Sequence, residues 1–187
     1  MPQAVTHILF PLILTSIFRD LFVSRNKSEN KKKFSSHYVL VAGIGGLLPD
    51  LDVAAFWILH FFGFTFEAIH RTFAHSVFIP FIFLLLYIFL RNSDTNARIC
   101  NIGRHKLKLH LIFIAFAFGS FTHLLLDGTL SGVIAPFYPL STQLIGLNLF
   151  GYFPDVLELL AAPTLDAALL IIWIIYLELK HKISDFI

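Results

Sequence analysis

Five apolar stretches divide this chain, at 5–23, 37–62, 68–90, 107–126 and 164–179, and its basic residues crowd into alternate gaps between them. A helix crossing the hydrocarbon of a bilayer needs about 20 predominantly apolar residues. Of the 187 residues 57% are hydrophobic and 22 are Phe, too apolar a composition for a water-soluble domain of this length. An integral membrane protein is expected, all-α in fold class: one membrane-embedded domain over 1–187, polytopic, with about five transmembrane helices. The fifth stretch is somewhat short for a crossing.

The charges orient the crossings. Thirteen of the fourteen Lys and Arg residues lie in 19–33, in 91–108 or from 178 onward, with five acids among them; the other segments hold Arg71 against seven acids. Cytoplasmic loops carry the excess of Lys and Arg. Five crossings with the N-terminus outside and the C-terminus cytoplasmic put all three basic segments on one side, in a multi-pass protein of the cell membrane. Adding or removing a crossing would move a basic loop to the wrong face. The first stretch lacks a basic start and a small-residue cleavage pattern, so it is read as a retained span, not a removable signal. The single Cys100 excludes a disulfide framework and a thiolate metal site. Membrane lipids are the expected partners, and no nucleic acid is expected.

Two segments depart from simple spans. Pro49-Asp50-Leu51-Asp52 interrupts the second stretch, and proline removes a helix donor there, which favours a break. Segment 128–162 is rich in Gly, Pro and aromatics, and its apolar part, 144–153, is too short to cross; a re-entrant or lid segment on the outer side is expected before the last helix. Gly43, Gly45 and Gly46 are expected to let helices approach closely.

In this topology His7 lies near the outer end of span one, Asp50 and Asp52 at the interruption, His70 and His75 at the outer start of span three, and His123 with Asp127 at the outer end of span four. Chemistry-bearing residues from four stretches therefore meet at one membrane level. Carboxylates near the bilayer centre cost roughly 2.5 to 3.5 kcal/mol each, so they are kept with partners or for a function. A divalent metal supplies the missing positive charge, and mixed His and Asp ligands favour zinc first and manganese second. His7, Asp50, Asp52, His70, His75, His123 and Asp127 are the candidate ligands. His123 and Asp127 are four apart, on one helix face, and can share an ion or simply hydrogen-bond. Asp50 or Asp52 can instead cap the helix that follows Pro49. One of His70 and His75 is expected to bind metal while the other donates a proton or orients a ligand from behind. Arg71 suits a bidentate hold on phosphate, or a salt bridge to Glu67 one turn away. Ser76 sits beside these as a group that orients ligands rather than attacks, since no Ser-His-Asp ordering is present.

Thr6-His7, Leu48-Pro49-Asp50-Leu51-Asp52, the string His70-Arg71-Thr72-Phe73-Ala74-His75-Ser76, His123 with Asp127, and Gly132-Val133 with Pro136-Phe137 together resemble the YdjM-like family of membrane-bound, metal-dependent hydrolases. The resemblance covers 6–137, and the His-Arg string is its most specific part. Through that family the chain is distantly similar to zinc-dependent phospholipase C and the single-strand nucleases. In those enzymes an early His, an Asp, a His and a His-x3-Asp follow one another, as do His7, Asp50 or Asp52, His70 or His75, and His123 with Asp127 here. They also carry a later His and a His-x3-Glu, whereas the only later histidine in this chain is His181.

The resemblance and the convergence imply a metal-dependent hydrolase, phosphoesterase in type, acting on a lipid or lipid-linked substrate at the outer leaflet. His70, Arg71, His75 and Ser76 are its candidate catalytic residues. The rivals are a transporter or proton relay, for which a broken helix and intramembrane acids are equally suited, and a non-catalytic membrane protein with a structural metal.

Overall fold

The structure, a computed structural model, describes residues 4–25, 34–70, 72–91, 98–102, 105–130 and 132–182. Three helices dominate it: α1 (Ala4–Arg25), α6 (Leu109–Leu130) and α7 (Asp155–His181). Within them Ala4–Ser24, Leu109–Leu130 and Asp155–Lys180 are long and apolar enough to cross a membrane. The chain is thus helical and membrane-like, with three full-length candidate spans among the described residues.

The remaining stretches are shorter than the hydropathy alone implies. Stretch 37–62 forms α2 (His37–Gly45), a turn over 46–50, α3 (Leu51–Leu59) and one 3-10 turn at His60–Phe62. Pro49 lies inside the turn, which closes through tight bonds such as Leu47 N to Ile44 O at 2.9 Å and Leu51 N to Leu48 O at 3.2 Å. Stretch 68–90 is helical as α4 (Phe66–Ile69) and again as α5 (Phe78–Arg91), with a 3-10 turn at Phe73–His75 between them. At 1.5 Å per residue the 14 residues of α5 reach about 21 Å, short of a roughly 30 Å hydrocarbon core. The helical start expected around His70 and His75 is therefore not there, so their spacing along a helix face does not apply.

The last span is longer than expected. It begins at Asp155, not near 164, because Pro154 ends the preceding loop and Asp155 and Glu158 favour a helix N-terminus in the first turn. The basic loop also holds an unexpected element, an antiparallel hairpin of β1 (Arg98–Ile102) and β2 (His105–Lys108).

Side-chain bonds fix how the long helices run. Thr6 N donates to Asp166 Oδ1 at 2.8 Å, and the Thr6 hydroxyl donates to the same oxygen. Further along, the Tyr176 hydroxyl donates to Asp20 Oδ2 at 2.6 Å. Position 6 meets 166 and position 20 meets 176, so α1 and α7 are parallel. His7 meets Asp127, at the far end of α6, so α6 runs antiparallel to both. The C-terminal ends of α1 and α7 and the N-terminal end of α6, which carry Arg19, Lys180 and Lys108, consequently share one end of the bundle.

At the other end, three backbones touch. Pro11 has no N–H to offer the carbonyl of His7 four residues earlier, which leaves that oxygen without its helical donor. Gly46 packs directly on it; a Cβ at Gly46 would overlap His7 O. On the opposite side a Cβ at Gly119 would overlap Ala42 O, and one at Gly45 would stand 3.0 Å from Phe116 Cα. Only glycine allows α1, α2 and α6 to approach this closely.

Candidate metal centre

The close approach sets the site. The Gly46 carbonyl accepts a hydrogen bond from His123 Nδ1 at 2.7 Å. A carbonyl oxygen only accepts, so Nδ1 carries a proton, which leaves Nε2 to present a lone pair whenever the ring holds one proton. That lone pair faces inward, where His123 Nε2 lies 3.2 Å from His75 Nε2 and 3.6 Å from Asp127 Oδ2. His75 Nε2 is 3.4 Å from the same Asp127 oxygen, so three donor atoms make a nearly equilateral triangle. Asp50 Oδ1 stands over one edge, 3.6 Å from both imidazole nitrogens. His75 and His123 are fully buried and Asp127 nearly so, whereas the Asp50 side chain keeps 29% of its exposure.

A metal fits these residues. Ligands at 2.0–2.1 Å in tetrahedral geometry are about 3.3 Å apart, the size of this triangle. Two imidazole lone pairs and two carboxylates packed this tightly repel each other unless a cation or a shared proton lies among them. The groups His7, His123, Asp127 and Asp50, His75, His123 each bring ligand atoms within 4.8 Å of one another.

Around the triangle sits a layer of orienting groups. His75 Nδ1 lies 3.1 Å from Asp52 Oδ2, and His70 Nδ1 is bonded to Asp52 Oδ1 at 3.0 Å. Asp52 is thus hydrogen-bonded to His70 and within ion-pair distance of His75 Nδ1, which makes no hydrogen bond among the described residues, and it stands behind the ring whose Nε2 faces the centre, where a carboxylate commonly backs a metal ligand. Asp52, His70 and His75 also form a third group with ligand spacing. His70 stacks on Phe66 with ring centroids 4.6 Å apart. His7 faces the other oxygen of Asp127, Nε2 to Oδ1 at 3.4 Å, and its ring stacks on His123 at 3.8 Å. His7 Nδ1 is buried without a hydrogen-bond partner.

The local backbone explains why His75 points inward. After α4 the chain leaves helical geometry at Thr72 (φ −98, ψ −112), makes one 3-10 turn, and becomes extended at Ser76. The Thr72 hydroxyl donates to Ile69 O at 2.6 Å and the Ser76 hydroxyl to Phe73 O at 2.8 Å, each closing the turn on its own backbone. Ser76 is fully buried and its proton is committed there. Arg71 and the Glu67 side chain, and with them the expected phosphate contact or salt bridge, lie outside the described residues.

Asp50, the residue preceding α3, makes no side-chain cap bond. His60 is exposed, with its ring 5.2 Å from that of Phe56. Two positioning residues escaped the sequence reading. Gly119 is flanked by Ala115 four residues earlier, a small-residue spacing that signals close helix contact. Asp166, deep in α7, anchors the first turn of α1 and hence His7, and no local pattern marks that pairing.

A family model, the YdjM inner membrane protein, matches residues 1–182. The chain belongs to that family and is a membrane protein. Neither the curated proteins nor the solved structures contain a match to it.

Proposed function

We propose that this chain is a membrane-embedded, metal-dependent hydrolase of phosphoesterase type, acting on a lipid or lipid-linked substrate at the outer leaflet. The supporting observation is the triangle of His75 Nε2, His123 Nε2 and Asp127 Oδ2, with sides of 3.2 to 3.6 Å, beneath a partly exposed carboxylate. Three buried protein ligands with an accessible fourth position are the arrangement of catalytic rather than structural zinc. Zinc is the first choice for two imidazoles and a carboxylate, manganese the second. When bound, such an ion polarises a phosphoryl oxygen and makes water a nucleophile near neutral pH.

The chain's own residues do the rest. Asp50, at the mouth, accepts the proton of the attacking water. His7 holds the second oxygen of Asp127, while Asp52 and His70 fix the ring of His75. Arg71, the lone base on this side in the sequence, takes the substrate phosphate. Ser76 keeps the turn that presents His75. In the membrane we assign five crossings with the N-terminus outside, the second interrupted at Pro49 and the third completed by the irregular backbone at 72–77. The shared basic end of α1, α6 and α7 supports that orientation.

A second reading has its own observation. The 3.2 Å contact between two imidazole nitrogens also serves a proton relay, if one ring holds the proton between them. Metal analysis of purified wild type and His123→Ala, with turnover of an aryl phosphodiester and of phospholipid in vesicles, separates the two. About one or more equivalents of metal and metal-dependent turnover, both lost in His123→Ala, are expected. Metal-free wild-type protein would favour the relay, and bound metal without turnover would favour a structural ion.

A further inference from the structure

From the structure we infer that the loop 128–154 is an interfacial membrane anchor, whose partner is the headgroup-to-acyl boundary of the bilayer. Its 27 residues contain no Asp, Glu, Lys, Arg or His. Most of it is not helical, and it nonetheless exposes large apolar side chains: Leu140 and Tyr152 at 81%, Leu144 at 63% and Leu147 at 61%. An exposed surface of this kind is unfavourable in water. Deep hydrocarbon is excluded too, because an irregular backbone there leaves polar groups unpaired. The boundary between the two accommodates both, and Tyr138 and Tyr152 are of the residue type that concentrates there.

The loop is held in shape and tied to the centre. Ile134 and Ile145 exchange both backbone bonds, at 3.0 and 2.9 Å, and Leu147 N donates to Gly128 O at 2.7 Å, next to Asp127. Val77 N donates to Pro136 O at 2.9 Å, two residues from His75. The anchor therefore fixes the depth of the metal centre as well as its own. Its apolar surface continues into the exposed Val156, Leu159 and Leu160 at the start of α7, an apolar helix that is exposed over most of its length. That continuity, with the absence of charge, favours lipid over a protein partner.

The inference does not depend on hydrolysis, and its test does not use activity. In a Cys100→Ser background, single cysteines are introduced as Leu140→Cys, Leu144→Cys, Leu160→Cys and Glu158→Cys, labelled with an environment-sensitive dye, and studied in phosphatidylcholine nanodiscs. Dyes at 140 and 144 are expected to be quenched by a nitroxide high on the lipid chain at least about half as strongly as at 160, and to be shielded from iodide several-fold better than at 158. Iodide quenching at 140 and 144 equal to that at 158 would overturn the inference, because the loop then projects into water. Shielding from both quenchers would overturn it as well, because protein then covers the loop.

Discussion

The two halves of α6 face the same neighbours and differ in every respect that matters to function. From Leu109 to Phe118 the helix packs through rings, with Phe83 5.6 Å from Phe116, and with α1 and α2 it borders an apolar cavity of about 890 Å³ lined by residues such as Leu14, Phe18 and Ala115. From Gly119 onward it buries Ser120, Thr122, His123 and Asp127, and at Gly119 its backbone meets that of Ala42, Gly45 and Gly46. There Ser120 and Thr122 return hydroxyl bonds to their own helix at 2.7 and 2.8 Å, and His123 bonds to Gly46 O. In lipid, apolar surfaces gain little by touching one another, so the apolar half tolerates loose packing. Buried polar groups lose heavily if mispaired, so the polar half must be close-packed and matched atom by atom.

The largest expected effect breaks that difference at its boundary. Gly119→Val places carbon where Ala42 O and the Gly45–Gly46 backbone already stand, and backbone cannot step aside as a side chain can. A loss of about 3 kcal/mol or more is expected, with loss of the folded protein in detergent, measured by thermal unfolding. Ile114→Phe, five residues earlier, adds bulk beside the cavity and should cost less than about 1 kcal/mol. Equal losses from the two would mean that the halves are packed alike.

Within the polar half, the two carboxylates of Asp50-Leu51-Asp52 sharpen the distinction between chemistry and support. Asp50 faces the donor triangle and solvent; Asp52 faces two ring nitrogens and is buried. Asp52→Asn removes the negative charge that faces both His70 and His75, and should weaken metal affinity by about 10- to 100-fold. Asp50→Asn should leave affinity within a few-fold and lower turnover by about 10² to 10⁴. Chelator competition and phosphodiester kinetics read the two separately, and the reverse pattern would exchange the roles.

The sequence reveals that these residues converge better than it reveals what each of them does. Basic loops and apolar stretches place His7, Asp50, His75, His123 and Asp127 at one level, because topology follows from charge and hydropathy. The division between Asp50 and Asp52, or between His70 and His75, depends on a turn at 46–50 and on backbone that leaves the helix after α4; two residues of spacing say nothing about either. The apolar run 68–90 reads as one span because hydropathy averages over the polar residues that interrupt it. Asp166 is invisible for a different reason: its partner Thr6 is 160 positions away.

That distant pair offers a smaller test. Asp166 Oδ1 receives both the N–H and the hydroxyl of Thr6, adjacent to His7. Asp166→Ala leaves both donors buried and should cost about 1 to 3 kcal/mol, whereas Asp166→Asn keeps an acceptor oxygen and should recover most of it. Thermal unfolding with and without zinc checks this. A failure of Asn to rescue would assign the role to charge instead of to the bond.

The smallest effect returns to the apolar half, where one hydroxyl sits against the rule that governs the other half. Thr15 lines the cavity, and its Oγ1 is buried with no hydrogen-bond partner, unlike the hydroxyls of Thr6, Ser120 and Thr122. Replacing an unsatisfied hydroxyl by a methyl removes its desolvation penalty and leaves no partner stranded. Thr15→Val should therefore be neutral or stabilising by up to about 1 kcal/mol, while Thr122→Val, which breaks a made bond, should destabilise by a similar amount. If Thr15→Val destabilises as much as Thr122→Val, the hydroxyl is satisfied by something that enters the cavity. The cavity would then be a binding site, no longer loosely packed space, and the contrast between the halves of α6 would shrink to one of ligand against metal.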